Sequence, residues 1–374
     1  MKKLLVIVLC LVFALGAFAG CGGDTTTDEP ATDEPAVEDE GRADGLIVPD
    51  LSGQDIVVGI STGSTGTSWR DIMVSELESV GDEYKDAGVI KDYKMFNNIE
   101  NGDANEQAQL VRDMIDDPEI NIIMINPNDE SAIASVISDA QDAGKLVVVF
   151  DAPAAAPNTL QVTLDHYAWS EKNVTFIAET LESGTLIDVF GLDGHPANTL
   201  REQAVDDVLA NFPDIDLADR ISGGWDQAQA KEVTAQILAS GKEIDGVITQ
   251  DGMAFGCLSA FLDVNKLPKV MFGDPGTAFF KEWNKLREEG ADFKACAQPN
   301  PPGIGGTAFR FAISLADGKV FKDGALDNSV FYYVVTSFYT DENFDEAWDL
   351  LKDKADDYLL SEVISQEDCD AQFS

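Results

Sequence analysis

The chain carries one short pattern twice: residues 146–153 read LVVVFDAP, and residues 269–275 read KVMFGDP. Each copy is an apolar run of strand-forming residues that ends in an aspartate, with a proline close behind. An acidic residue followed by isoleucine lies 32 residues before Asp151 in the first copy and 31 residues before Asp274 in the second. A Gln-Ala pair lies upstream of that acidic residue in both copies. Repeated order of this kind predicts two lobes of like topology.

Around the two copies, short apolar runs alternate with longer amphipathic stretches. This alternation is typical of parallel α/β units, and a run as continuous as 147–150 indicates a strand covered on both faces. We therefore predict an α/β fold with two doubly wound parallel-sheet lobes. The predicted strands are 56–60, 120–125, 146–150, 185–190, 246–249 and 269–272. The predicted helices are 70–80, 104–115, 131–143, 228–238 and 277–289.

Length and charge limit the class of protein. The 374 residues suffice for about two domains, and 44% apolar residues exclude wholesale disorder. The 25 basic and 68 acidic residues give a net charge of −43, and so acidic a surface repels nucleic acids and anionic lipid headgroups. The two histidines, His166 and His195, leave little for histidine-based metal sites or base catalysis. We expect no metal, no cofactor and no nucleic-acid partner, and we expect both histidines on surface loops.

The N-terminus has the pattern of a secretory signal peptide: a basic start, an apolar run over residues 4–18, and small residues before Cys21. The alternative is an uncut membrane anchor, for which the run is short. The sequence before Cys21 resembles a bacterial lipobox, which implies a lipoprotein signal peptide over residues 1–20 and a lipidated Cys21. The protein is then extracytoplasmic and anchored to the cell membrane. Residues 21–53 are rich in Asp, Glu, Thr and Pro, which predicts an acidic disordered tether.

Polar residues follow the predicted strands at their carboxyl ends, where doubly wound sheets bind ligands. Two like lobes that face each other collect these residues in one cleft, a geometry that suits closure on a small molecule by hinge motion. The residues at these strand ends are Asn126, Asp151, Gln250, Asp251 and Asp274, with Arg70 and Arg201 in loops at the same edge.

Several short motifs run in a fixed order along the chain: Thr67-Ser68-Trp69-Arg70, Ile125-Asn126-Pro127-Asn128-Asp129, Phe150-Asp151, Thr163-Leu164-Asp165, 194–201, Trp225-Asp226-Gln227, 249–254, Gly273-Asp274 and Gln298. In this order the chain resembles the type I periplasmic-binding-protein family, specifically the ribose-like sugar-binding lipoproteins of ABC transporters, over residues 54–340. The resemblance implies a hinge with three chain crossings, near 153–165, 275–298 and 328–333. It implies an N-terminal lobe of residues 54–160 and 299–330, and a C-terminal lobe of residues 161–298 and 331–374 that includes a C-terminal extension.

The resemblance also implies a ligand contact at each matching position. Trp69 and Trp225 match the aromatic residues that stack on the apolar C–H faces of a sugar ring. Arg201 matches an arginine that reaches the ring oxygen or hydroxyls. Arg70 replaces a guanidinium that the family places after its first aspartate, where this chain has Ala152. The other implied ligand residues are Ser68, Asn126, Asp151, Gln250, Asp251, Asp274 and Gln298.

From the residues alone, purely structural roles also fit the same positions. The two tryptophans also fit a buried core, because tryptophan is highly buried on average. Asp151 and Asp274 also fit helix caps, because aspartate is a preferred N-cap residue.

The resemblance implies a binding protein and not an enzyme. We expect a monomeric solute-binding lipoprotein that closes around one sugar or related polyol and then docks on ABC permease subunits. Pentoses, hexoses, inositol-like polyols and furanone signal molecules remain open as ligands. One alternative is a sensory receptor of the same fold. Another is a secreted serine hydrolase, because residues 59–63 match G-x-S-x-G with Ser61 as the nucleophile, although no convincing Asp-then-His pair follows.

Overall fold

The computed structural model of the chain describes residues 42–63, 66–97, 103–335 and 337–374. Strands and helices alternate along these residues, as the sequence pattern predicts. The strands are β1 (Val57–Ser61), β2 (Asp92–Met95), β3 (Ile122–Ile125), β4 (Leu146–Asp151), β5 (Leu160–Thr163), β6 (Gly184–Phe190), β7 (Ile215–Ser222), β8 (Gly246–Ile248), β9 (Val270–Gly273), β10 (Lys294–Ala297) and β11 (Val330–Tyr332). The helices are α1 (Ser68–Asp86), α2 (Ala104–Asp116), α3 (Glu130–Asp142), α4 (His166–Leu181), α5 (Pro196–Leu209), α6 (Gln227–Ala239), α7 (Ala254–Asp263), α8 (Thr277–Glu288), α9 (Ile304–Ala316), α10 (Phe344–Leu351) and α11 (Gln366–Asp370).

The strands form two sheets. The first sheet has the order β11-β5-β4-β3-β1-β2, and the second has the order β10-β9-β8-β6-β7. Neighbouring strands run parallel in both sheets. The strand order reverses between β3 and β1 in the first sheet and between β8 and β6 in the second, and ligands of such sheets bind beyond the carboxyl ends of the strands near this point. The predicted fold of two doubly wound parallel-sheet lobes is confirmed.

Apolar side chains cover both faces of each sheet. In the first lobe, one core lies against α1 and α9 and the other against α2 and α3. In the second lobe, one core lies against α6, α7 and α8 and the other against α4 and α5. The strand β4 shows why its sequence is continuously apolar: Val147 and Val149 enter one core, while Val148 and Phe150 enter the other. Helices therefore cover both faces of each sheet, and polar side chains collect at the carboxyl ends of the strands.

The last part of the predicted tether is folded, so the tether boundary at residue 53 is wrong. Leu46 and Leu51 are buried in the first-lobe core, and Arg42 donates from Nη2 to Lys319 O at 2.6 Å. Leu46, Val48 and Leu51 explain the difference, because these apolar side chains gain from leaving water even inside an acidic stretch. The signal peptide over residues 1–20, Cys21 and the tether through residue 41 lie outside the described residues.

No helix in the part of the chain that the structure describes is both long enough and apolar enough to cross a bilayer.

The C-terminal extension does not stay with the second lobe, where residues 331–374 were predicted to lie. Phe331 is part of β11, which pairs with β5 in the first sheet. Phe344, on α10, is buried in the second-lobe core. Cys369 and Phe373 are buried in the first-lobe core, beside α9. The apolar residues near the C-terminus thus complete the first lobe, not the second.

The chain consequently passes between the lobes four times among the described residues: after β5, after β10, after β11 and after α10. The first passage follows residue 163 rather than residue 160, because β5 pairs with β4. The fourth passage runs along the second lobe before it reaches the first, since Tyr358 O accepts from Thr277 N at 2.9 Å while Leu359 is buried in the first-lobe core.

Candidate functional site

Six of the predicted ligand residues meet around one cavity between the lobes. The cavity has a volume of about 340 Å³, which includes space open to solvent. The predicted residues on its wall are Trp69, Arg70 and Asp151 from the first lobe, and Arg201, Trp225 and Asp251 from the second. The other lining residues are Thr67, His195, Ala197 and Asn300.

The first lobe presents Trp69 and Arg70 from the first turn of α1. The side chain of Thr67 accepts a hydrogen bond from Arg70 N, and this cap fixes where the helix begins. Trp69 donates its indole N–H to Asn300 O at 2.7 Å, and Arg70 donates from Nη1 to Thr62 O at 2.6 Å. Backbone carbonyls therefore hold both side chains in place on the wall of the cavity.

Asp151 ends β4 with a φ of 64°, an uncommon backbone conformation for a residue other than glycine. Asn126 donates from Nδ2 to its Oδ2 at 3.2 Å. Burial raises the pKa of Asp151 to about 6, and the charges of Arg70 and Arg201 oppose that rise. Near neutral pH this carboxyl group can therefore exist in either protonation state, and a hydroxyl group can bond to both.

Arg201, on α5, is the most buried charged residue of the wall. It donates from Nη1 to Asp251 Oδ2 at 2.6 Å and to Gln250 Oε1 at 3.3 Å. Its guanidinium group lies over the ring of Trp169, 4.2 Å from the centroid. Its Nε has no hydrogen-bond partner among the described residues. The guanidinium is thus fixed by the protein, while its Nε–H is left without a protein acceptor.

Trp225 follows β7 with a φ of 56° and donates its indole N–H to Gln250 Oε1 at 2.9 Å. The indole lies directly against Gly191, where a Cβ atom would be 2.1 Å from the ring, so only glycine permits this approach. The ring of His195 packs edge-on against the indole, with the centroids 4.8 Å apart. Gly191 and His195 therefore pack against the indole of Trp225, which lines the cavity.

Gln250 lies behind the wall and does not line the cavity. Its Oε1 accepts from Trp225 and Arg201, while its Nε2 donates to Asn198 Oδ1 at 2.8 Å and to Glu202 Oε1 at 3.0 Å. Both lone pairs and both N–H groups of the amide are then engaged. Gln250 orients two wall residues and has no hydrogen-bonding capacity left for a ligand.

Three further predicted residues also lie off the wall. Asn126 lies behind Asp151 and orients its carboxyl group. Gln298 is buried without lining the cavity, and its Oε1 is unpartnered within the described part of the chain. Ser68 lines a neighbouring cavity.

Asp274 lines that neighbouring cavity together with Ser68. The backbone N–H groups of Gly252, Ala254 and Gly276 lie close enough to its carboxyl group to oppose a rise in its pKa, and its Oδ2 has no hydrogen-bond partner among the described residues. Burial, reinforced by the charge of Asp251, raises its pKa to about 7. In this arrangement Asp274 organises the loop that carries Asp251, a role closer to capping than to direct ligand contact.

Both histidines are buried, so their predicted placement on surface loops is wrong. His195 caps α5: its Nδ1 accepts from Ala197 N at 3.3 Å, which leaves the proton on Nε2. Nε2 has no partner among the residues that the structure describes, and His195 lines the cavity. It is a candidate ligand residue that the sequence analysis missed. The signal was the following Pro196, since proline favours the first turn of a helix.

Asn300 is a second candidate missed from the sequence, because it lies in the irregular passage after β10. It donates from Nδ2 to Asp251 Oδ2 at 2.9 Å, and its carbonyl accepts from Trp69. Its Oδ1 has no partner in the described residues.

The charges on the wall balance. Arg70 and Arg201 carry two positive charges, and Asp151 and Asp251 carry two negative charges when ionised. Such a wall has no surplus charge to offer an ionic ligand. Charged donors and acceptors next to two indole rings suit an uncharged molecule that is rich in hydroxyl groups.

Ser61, the nucleophile of the hydrolase alternative, is fully buried at the end of β1. Its Oγ accepts from Gln107 Nε2 at 3.1 Å, and no histidine bonds to it among the described residues. A serine nucleophile needs an adjacent base, so this geometry does not favour hydrolysis.

Comparisons with known proteins agree with this architecture. A D-apiose import binding protein of Paraburkholderia graminis is 26% identical over 183 residues, which are 48% of this chain and 58% of that protein. A xylitol-binding protein of Mycolicibacterium smegmatis is 24% identical over 228 residues, 58% of this chain and 64% of that protein. The matches thus span less than two thirds of these relatives.

A solved ABC transporter solute binding protein from Thermobispora bispora has the same fold, with a TM-score of 0.74 over 85% of this chain and 94% of that one, at 22% identity. The family model described as a periplasmic binding protein domain matches residues 58–320, well over half of the chain. The chain therefore belongs to the family of periplasmic binding protein domains.

Proposed function

We propose that the protein is a solute-binding lipoprotein of an ABC importer, which holds one sugar or polyol between its lobes and performs no covalent chemistry. The observation that carries the proposal is the cavity wall. It combines an indole ring from each lobe, Trp69 and Trp225, with a charge-balanced set of donors and acceptors. Apolar C–H faces stack on indole, and hydroxyl groups bond to charged groups more strongly than to neutral ones.

Closure of the lobes is the proposed mechanism. A molecule in the cavity contacts groups from both lobes only when they are close together, so binding favours the closed population. The closed form then docks on the permease subunits, and a lipid on Cys21 keeps the protein at the cell membrane.

The two curated relatives support the choice of ligand class. D-apiose and xylitol, the compounds in their names, are small, uncharged and rich in hydroxyl groups. The word import in the first name supports a role in uptake.

A thermal-shift panel tests the proposal, with D-apiose, D-ribose, D-galactose, xylitol and myo-inositol as probes and D-glucuronate as the anionic comparison. A ligand that binds only the folded state raises the melting temperature in proportion to RT ln(1 + [L]/Kd). At least one neutral probe should stabilise the protein, whereas D-glucuronate should not. If no neutral probe raises the melting temperature at millimolar concentration, the sugar-binding proposal fails.

The matched variants are Trp225→Ala, on the wall, and Trp348→Ala, on α10. Both side chains are half-buried, but only Trp225 lines the cavity. Trp225→Ala should abolish the shift, and Trp348→Ala should preserve it. Equal loss in both variants would mean that the shift does not report on this cavity.

The anchor and the transport role need cellular experiments. Cys21→Ser should move the protein from the membrane fraction to the soluble extracytoplasmic fraction. Deleting the gene should reduce uptake of the stabilising probe. Unchanged uptake, together with an altered transcriptional response to the probe, would favour the sensory receptor of the same fold.

A further inference from the structure

His166 joins charged residues from the two lobes through the two nitrogens of one ring. It is the first residue of α4 and follows the first passage between the lobes. Its Nε2 lies 3.1 Å from Asp151 O, at the end of β4. Its Nδ1 lies 3.2 Å from Arg201 Nη2, on α5. The imidazole is almost completely buried and does not line the ligand cavity.

The partners of the ring determine where its proton lies. A guanidinium group only donates hydrogen bonds, so Nδ1 of His166 must accept from Arg201. The proton is therefore on Nε2, which donates to the carbonyl oxygen of Asp151. The other tautomer, or the imidazolium ion, would set an N–H against the guanidinium.

The charged and titratable neighbours agree with a neutral ring. Arg201 and His195 face it from the second lobe, and Asp151 faces it through its carbonyl group. Burial and the charge of Arg201 lower the pKa of His166 to about 3.

Both bonds act on residues of the wall. Asp151 has a left-handed backbone conformation. Its carbonyl oxygen accepts from Thr163 Oγ1 as well as from His166. On the other side, His166 holds Nη2 of Arg201 while Asp251 holds Nη1. Two donors therefore fix the turn at Asp151. Asp251 and Gln250 hold Nη1 of the guanidinium, and His166 is the acceptor that holds Nη2.

We infer that His166 is a positioning residue of the interlobe site: a neutral imidazole, protonated on Nε2, that aligns the guanidinium of Arg201 with the backbone of Asp151 and does not itself touch the bound molecule. Its effect on affinity rests on the proposed function. Its tautomer does not, because both partners belong to the chain.

Nitrogen-15 NMR of the ligand-free, full-length protein tests the tautomer. The chain has two histidines, so the spectrum holds two imidazole spin systems, and the one lost in His166→Gln is that of His166. We expect an unprotonated Nδ1 and a protonated Nε2 at every pH from 5 to 8. A ring that titrates in this range, or that carries its proton on Nδ1, would overturn the inference whether or not a sugar binds.

Two variants separate the two bonds. His166→Asn places an amide oxygen near the position of Nδ1 and keeps an acceptor for Arg201. His166→Gln places an amide nitrogen near the position of Nε2 and keeps a donor for Asp151 but no acceptor for Arg201. His166→Gln should weaken the binding of whichever neutral panel compound stabilises the protein. The expected loss is about tenfold or more, the scale of one hydrogen bond to a charged group.

A double-mutant cycle with Arg201→Ala then distinguishes positioning from a general structural role, with D-ribose, xylitol and myo-inositol as probes. In the His166→Gln background, removing Arg201 should change affinity by less than about twofold, because its orientation is already lost. In the His166→Asn background, the same removal should still cost about tenfold. Independent effects in both backgrounds would overturn the positioning role. If none of the five neutral panel compounds binds the unsubstituted protein, the proposed function fails and the NMR result alone decides the inference.

Discussion

Trp69 and Trp169 donate their indole N–H groups to adjacent carbonyls of one passage between the lobes. Trp69, on α1 of the first lobe, bonds to Asn300 O at 2.7 Å, and Trp169, on α4 of the second lobe, bonds to Pro299 O at 3.1 Å. Each lobe thus holds one of two adjacent residues of the hinge. Trp69 also lines the cavity, and Trp169 carries the guanidinium of Arg201 on its face. The hinge and the ligand site therefore share side chains.

Trp69→Phe should lower the free energy of unfolding by about 1–3 kcal/mol. Phenylalanine keeps a ring at the wall but leaves the buried carbonyl of Asn300 without its donor. Urea unfolding measures the change, with Trp348→Phe as the control on α10. Equal stability of Trp69→Phe and the unsubstituted protein would show that the hinge bond contributes nothing.

Asp251→Asn should destabilise the fold by about 3 kcal/mol, because it leaves the buried guanidinium of Arg201 without its 2.6 Å counter-ion. The matched control is Asp263→Asn, which breaks the 2.8 Å pair of Asp263 with Lys231, where both side chains are largely exposed. That control should change stability very little. Thermal and urea unfolding of both variants measure the difference, and similar losses in the two would contradict the importance of burial.

Asp274 should make stability depend on pH between about 4 and 7. Burial raises its pKa from 3.8 to about 7 in the folded protein, so in this window the folded state keeps a proton that the unfolded chain has released. Raising the pH therefore costs stability, by up to about 1.4 kcal/mol per pH unit for one such group.

Asp274→Asn cannot ionise, so its stability relative to the unsubstituted protein should increase from pH 5 to pH 8. Urea unfolding at both pH values provides the measurement, with Asp263→Asn as the exposed control. A constant difference at the two pH values would refute the raised pKa.

Phe373→Ala should cost about 3 kcal/mol or more, since the ring is buried in the first-lobe core, 4.2 Å between centroids from Phe321. Leu350→Ala, at a side chain that is 56% exposed, should stay within about 0.5 kcal/mol. Hydrogen exchange should also speed up in α9 of the first lobe and not in α7 of the second. Faster exchange confined to the second lobe would contradict the observed packing of the C-terminus.

The fold could be predicted where a strand that is buried on both faces is also a continuous apolar run. The strands β1, β3, β4 and β9 are of this kind, and each lies within or beside a predicted strand. The strands β2, β5, β7, β10 and β11 were missed. The edge strands β2 and β7 contain charged residues and are only partly buried, so they carry no such pattern. The strands β5, β10 and β11 are only three or four residues long, and Gln161 and Lys294 interrupt the apolar sequence of the first two.

The site was predictable where it repeats between the lobes and hidden where it depends on side-chain geometry. The sequence pattern placed Asp151 and Arg201 at the carboxyl edges of the sheets, the resemblance implied Trp225, and all three line the cavity. Gln250 follows a strand too, but the N–H groups of its amide bond to Asn198 and Glu202. The spacing of residues in the sequence does not predict these side-chain contacts. Asn300 lies in a passage without periodicity, where sequence offers no guide.

The return of the C-terminus to the first lobe sets an order for biosynthesis. Phe373 follows every strand and helix of the second lobe along the chain, and it fills a first-lobe core whose earliest described strand begins at Val57. A growing or translocating polypeptide can assemble the second sheet before it can finish the first. The half that emerges earliest is thus completed after the other half, and its core stays unfinished until Phe373 is available to fill it.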